Sequence, residues 1–143
     1  MSFDLYALCT SQLSAKAAWQ AAIEQQHFPL KFDSSFDPAK NTAFWPAQIN
    51  EIIIYLEYHP LARDEWENFP NLDQPDQFIV GTQFSVSGLP LEVVSAVWAA
   101  MSAVPMCGGV VYDPQESKSY TGARIDDLVA QISVLLKGQV GWP

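Results

Sequence analysis

Between Leu91 and Val104 the chain is apolar or small on every side, with Val93, Val94, Ala96, Val97, Trp98, Ala99, Ala100 and Met101 in close succession. A helix without a polar face cannot rest on a surface and has to be surrounded. Gly88, Pro90 and Glu92 announce its start and Pro105 is expected to end it. No stretch of the chain approaches the roughly 18 uninterrupted apolar residues of a membrane span, so its surroundings must be the protein's own core. At 143 residues the chain has the commonest size for one domain, and a chain of this length buries roughly 68–70% of its unfolded surface. One domain over residues 1–143, needing no metal or disulfide staple, is the expectation.

The elements around that helix follow from periodicity. Phe3–Cys9 alternates Phe3, Leu5, Ala7 and Cys9 against Asp4, Tyr6 and Leu8, which predicts a half-buried strand. Ser11 and Ser14 are candidate caps for a helix over Ala15–Gln26, stopped by Pro29. From Phe28 to Asn50, three prolines punctuate several aromatic residues, and only Leu30–Asp33 reads as a short strand. Glu51–Tyr58 is β-rich and Gln77–Ser87 alternates strictly, which predicts two antiparallel strands joined by a long acidic loop. Gly108–Asp113 supplies a further strand, Asp113 to Glu116 a turn, and Ile125, Leu128, Val129, Ile132, Leu135 and Leu136 an amphipathic last helix closed by Lys137-Gly138. The order β-α-β-β-α-β-α matches an α+β, ferredoxin-like split β-α-β antiparallel sheet with an added C-terminal helix. That plan makes the first and last strands neighbours, bringing Cys9 near Cys107 and Asp4 near Asp113.

Sixteen acidic against seven basic residues give a formal charge of -9, while 49% of the residues are apolar. The chain is too hydrophobic for a disordered acidic tail and too negative to hold phosphate backbones or an anionic membrane. Its amino terminus has neither the basic start nor the apolar core of a secretion signal, so a cytoplasmic location is expected. Two cysteines are far from a disulfide framework and are expected to be reduced.

The charge is concentrated. Glu51 to Asp76 holds seven carboxylates against one arginine, Arg63, with Tyr55, Tyr58, Trp66 and Phe69 set among them. Acidic groups beside large rings make a docking surface for a basic partner, with Asp64, Glu65, Glu67, Asp73 and Asp76 steering and Tyr58, Trp66 and Phe69 supplying contact area. The bland alternative is a charged loop that keeps the protein soluble.

Catalytic and metal chemistry find little support. The possible thiol–imidazole pairs are Cys9 or Cys107 with His27 or His59, and a small buried hydrophobe is the usual explanation of such cysteines. The histidines lack metal-ligand spacing, Gly108-Gly109 precedes a strand with no following lysine, and Asp73-Gln74-Pro75-Asp76 lacks the ligand pattern of a calcium loop. No catalytic residue, cofactor or metal is expected.

Ser2-Phe3-Asp4-Leu5-Tyr6-Ala7-Leu8, together with Gly108-Gly109-Val110-Val111-Tyr112-Asp113-Pro114-Gln115 and a closing amphipathic helix, resembles the small α/β immunity proteins of bacterial contact-dependent growth inhibition systems. The resemblance covers about a third of the chain and carries over no individual functional residue. It implies a cytoplasmic, non-catalytic protein, monomeric when free, that binds and neutralises a cognate toxin domain, often a basic nuclease. Two other classes remain open: an enzyme or small-molecule binder with a pocket beside the aromatic segment 32–45, lined by Tyr6, Trp45, Tyr55 and His59, and a structural homo-oligomer.

Overall fold

The structure is a computed structural model that describes residues 3–11, 16–33, 43–87 and 89–120. The expected last helix and the cap at Ser14 lie outside these residues. In chain order the elements are β1 (Phe3–Cys9), α1 (Lys16–Gln25), β2 (Leu30–Phe32), β3 (Ala43–Ile49), β4 (Ile52–Leu61), β5 (Val80–Val86), α2 (Pro90–Cys107), β6 (Val110–Asp113) and β7 (Lys118–Tyr120). They form one seven-stranded sheet in the order β2-β3-β4-β5-β1-β6-β7, every pairing antiparallel. The protein is therefore α+β, but with more strands than the four of the expected plan.

The two expected pairings, β1 with β6 and β4 with β5, are present, and β5 also pairs with β1. β1 lies between β5 and β6, with Leu5 opposite Phe84 and Tyr6 opposite Tyr112. Asp4 and Asp113 are brought together by Gln115, whose Nε2 donates both to the Asp4 carbonyl and to Asp113 Oδ1. β4 and β5 pair across the acidic segment, Glu57 opposite Ser85.

Three strand assignments change. β3 was hidden by Phe44-Trp45-Pro46, which looks irregular because proline has no N–H to donate. It is nevertheless an internal strand, since Pro46 still accepts through its carbonyl from the Asp33 amide. Its link to β4 is a two-residue hairpin in which Asn50 and Glu51 both take positive φ (48° and 72°), as a type I′ turn requires. β4 also runs on through His59 and Pro60 to Leu61, so His59 belongs to a strand rather than a loop. β7 is added by a turn that folds Lys118 back against Asp113.

One face of the sheet holds the main core. Leu5, Ala7, Leu56, Phe84 and Val111 point towards α2, which is buried along Val94–Val104 as its composition demands. Pro105 does not end α2; the helix continues to Cys107 and closes on Gly108, left-handed at φ 66°, whose amide reaches the Val104 carbonyl. α1 packs beside α2 through Trp19 and Ile23, one turn apart, and Trp19 Nε1 donates to the Ala99 carbonyl at 3.0 Å. Gln20 of α1 accepts from the Phe32 amide and donates to the Leu30 carbonyl, occupying backbone groups that short edge strand β2 would otherwise leave open.

Cys9 is disulfide-bonded, against the expectation of free thiols. The chain's one other cysteine is Cys107, and the backbone there adjoins β1: Thr10 Oγ1 donates to the Gly108 carbonyl at 2.7 Å. The expected proximity thus holds, and proximity is what permits oxidation.

Candidate functional site

The sheet's second face decides where the acidic residues go. Leu8 of β1, Gly81 of β5 and Val110 of β6 lie in register on that face, and residues 62–79 fold back over them. Trp66 and Phe78, each 1% exposed, form a second core with Leu8 and Tyr112, and Phe69, Leu72, Leu61, Tyr6 and Val110 pack around it. Gly81 is necessary there: a Cβ on it would meet the Trp66 ring at 2.6 Å.

The segment is tied down at intervals. Trp66 Nε1 donates to the Pro75 carbonyl (3.1 Å), Tyr112 Oη to the Pro70 carbonyl (2.6 Å) and the Ile79 amide to the Cys9 carbonyl (2.8 Å). Phe69 stacks on Tyr112 with centroids 4.8 Å apart and planes 13° from parallel. Residues Arg63–Glu65 and Pro75–Gln77 are short 3₁₀ turns, the first closed by Glu65 accepting from the Ala62 amide at 2.7 Å. The acidic loop is a plate fastened over the sheet.

The predicted site residues therefore divide. Asp64, Glu65, Glu67, Asp73 and Asp76 are all exposed on this plate. Its one arginine, Arg63, is held to Asp76, donating to the backbone carbonyl at 3.1 Å with the carboxylate 3.8 Å away. Trp66 is not an exposed anchor, because its ring is the plate's own core. Tyr58 is also buried, at 2%, on the opposite face among Trp19 and Phe84. Phe69 is half-buried against Tyr6 and Tyr112 and offers only part of its ring. Alternation along β4 could have excluded Tyr58, since it shares parity with Leu56 and Ile54. No period marks the loop, so nothing in the sequence revealed where Trp66 points.

Tyr6, at the edge of the second core, has its hydroxyl pKa raised, first by burial and then by the charges of Asp4 and Glu65 and the neighbouring Tyr112. Among the described side chains of the expected cleft, Tyr6 lies against Phe69, Tyr55 stands 55% exposed, and His59 pairs with Glu57 at 2.6 Å.

Two concavities adjoin these surfaces. One, of about 300 Å³, lies beside β2 and β3 between Lys31, Pro46 and Ile53. The other, of about 460 Å³, opens between the acidic plate and the β6–β7 hairpin. Among the described residues, no group of three or more His, Cys, Asp or Glu side chains could hold a metal ion, and no helix is long and apolar enough to cross a membrane.

The fold and site define an α+β protein with an acidic plate on one sheet face. Compared with known protein families, characterised proteins and solved structures, the chain matches none.

Proposed function

We propose that the chain is a binding protein of the immunity type, which docks a basic toxin domain, most simply a nuclease, on the plate formed by residues 62–79. One observation carries this reading: the five carboxylates of that segment all face solvent while Trp66 and Phe78 fasten it from beneath. An ordinary solubilising loop needs no such anchoring. Fixing the backbone in advance lowers the ordering cost of association, and same-sign charges in one place steer a basic partner at low ionic strength. In a nuclease groove such carboxylates would stand where phosphates otherwise stand. The central strand order β4-β5-β1-β6 is read as the split β-α-β plan, with β2–β3 and β7 added at its edges.

The test is capture of the partner from lysate of the natural host, washed at rising salt, followed by assay of its activity. A basic domain held 1:1, released by salt and inactive while bound supports the proposal. Neutralising Asp64→Asn with Glu67→Gln should weaken capture without unfolding the protein; capture indifferent to both salt and neutralisation would refute it. The second reading, a small-molecule site beside segment 32–45, draws on the smaller concavity at Lys31 and Ile53. Its volume is at the lower limit of ligand pockets.

A further inference from the structure

We infer that the larger concavity, between the acidic plate and the β6–β7 hairpin, is a slot for an arginine side chain of the basic partner. The inference rests on the docking reading above and deepens it. Interfaces derive most of their energy from a few anchors seated in pockets. The rings expected to serve as this protein's anchors, Trp66 and Tyr58, are turned into its cores, so the anchor has to come from the other side.

The slot's chemistry suits a guanidinium. Its volume, about 460 Å³, accommodates one long side chain with adjoining backbone. Leu72, Phe78 and Val110 supply apolar wall for the methylene stem. On the plate side stand Asn71, Asp73 and Gln77. Asn71 Nδ2 donates to the Ser117 carbonyl at 3.2 Å and Gln77 Nε2 donates to the Asp73 carbonyl at 3.3 Å. With their nitrogen ends engaged, both amides offer oxygen acceptors alongside the Asp73 carboxylate. Several acceptors around one cavity match the five donors of a planar guanidinium better than the compact ammonium of lysine. Lys118 lines the same cavity as Asp73. Its charge repels every cation, arginine included, so occupancy depends on the compensating hydrogen bonds, which a guanidinium makes in larger number than an ammonium.

The experiment uses the full chain, labelled with nitrogen-15 and titrated with N-acetyl-arginine amide, its lysine counterpart and its citrulline counterpart at millimolar concentration. Saturable shifts confined to amides of residues 71–78 and 117–119 are expected for arginine, with at least about tenfold weaker response to lysine and citrulline. Asp73→Asn should weaken arginine binding about fivefold or more, and Lys118→Gln should strengthen it, since one removes the attracting charge and the other the repelling one. Both side chains are exposed, so both variants should keep the wild-type spectrum elsewhere. Equal responses to arginine and lysine, spread over Asp64, Glu65 and Glu67, would overturn the slot and leave the docking reading standing. No response to any probe would also overturn the slot, while docking is judged independently by partner capture and the Asp64/Glu67 variant.

Discussion

The contact between Trp66 and Gly81 permits a quantitative test of the plate. A methyl group on Gly81 would lie 2.6 and 2.7 Å from two carbons of the Trp66 ring and 3.2 Å from Leu8 Cδ2. Comfortable carbon contacts begin near about 3.5 Å, so in Gly81→Ala the ring must retreat by roughly 1 Å, away from its bond to the Pro75 carbonyl and its packing on Phe78. Overpacking of this kind costs about 1–3 kcal/mol. Trp66→Ala should cost about 3–5 kcal/mol by leaving a cavity. With the ring gone, the methyl's remaining close neighbour is the end of the flexible Leu8 side chain, 3.2 Å away and free to turn into the vacated space, and replacing a strand glycine is then neutral or favourable by about 0.5–1 kcal/mol. The double variant should thus be no less stable than Trp66→Ala alone, a coupling of about 1–3 kcal/mol between two residues fifteen apart in sequence. Urea unfolding of all four proteins, followed by far-ultraviolet circular dichroism, measures it directly. Additivity within about 0.5 kcal/mol, or a Gly81→Ala protein as stable as wild type, would show that the Trp66 ring does not lie over β5.

Other expectations follow from the same geometry. At Gly109 a Cβ would meet the Leu8 carbonyl oxygen at 1.8 Å, whereas Gly108 needs its left-handed φ of 66° and has Thr10 Oγ1 at 2.8 Å. Gly109→Ala should therefore abolish or severely weaken folding while Gly108→Ala costs about 1–2 kcal/mol, an order that thermal melts would check. The Tyr6 hydroxyl has its pKa raised by burial and by Asp4 and Glu65. The unfolded chain then ionises first, so stability is intact below the ordinary value of about 10 and falls as pH rises through the folded value. Tyr6→Phe should flatten that alkaline limb in unfolding free energy measured against pH. Because Cys9 is disulfide-bonded, thiol titration in denaturant without reductant should find no free cysteine. A native disulfide is typically worth about 2–5 kcal/mol, so reductant should lower the melting temperature markedly.

The sheet's organisation was largely written in periodicity. β5 alternates along its length, and the pairing of β1 with β6 followed from element order, whereas Leu8 places an apolar side chain on the face of β1 opposite Leu5 and Ala7. What escaped was chemistry that periodicity cannot carry. Pro46 disguised β3 because the rule against proline in strands concerns only the missing amide, and here the carbonyl alone maintains the contact to Asp33. Asn50-Glu51 concealed a hairpin because glutamate seldom takes positive φ. For the site, charge was legible and ring direction was not. Asp64, Glu65, Glu67, Asp73 and Asp76 are exposed as read, because carboxylates are costly to take out of water. Trp66 carries the same sequence signal whether it points outward as an anchor or inward as a fastening.

The inward direction has a functional consequence beyond stability. A loop that exposed Trp66 would surrender apolar area to water in the free state and would lose backbone freedom on meeting its partner. With Trp66 and Phe78 buried, that ordering has already taken place at folding, at about 1–2 kcal/mol of backbone entropy per residue fixed. Carboxylates on a fixed plate then keep their mutual spacing, and like charges that cannot relax apart hold a strong field until a cation relieves them. The same reasoning limits the plate's affinity for anything basic, since exposed ion pairs contribute little individually, about 0–1 kcal/mol. Steering and discrimination must therefore reside in different features: the carboxylates set the rate and salt dependence of encounter, while a shaped concavity beside Asp73 distinguishes the partner that fits from the many that are merely positive.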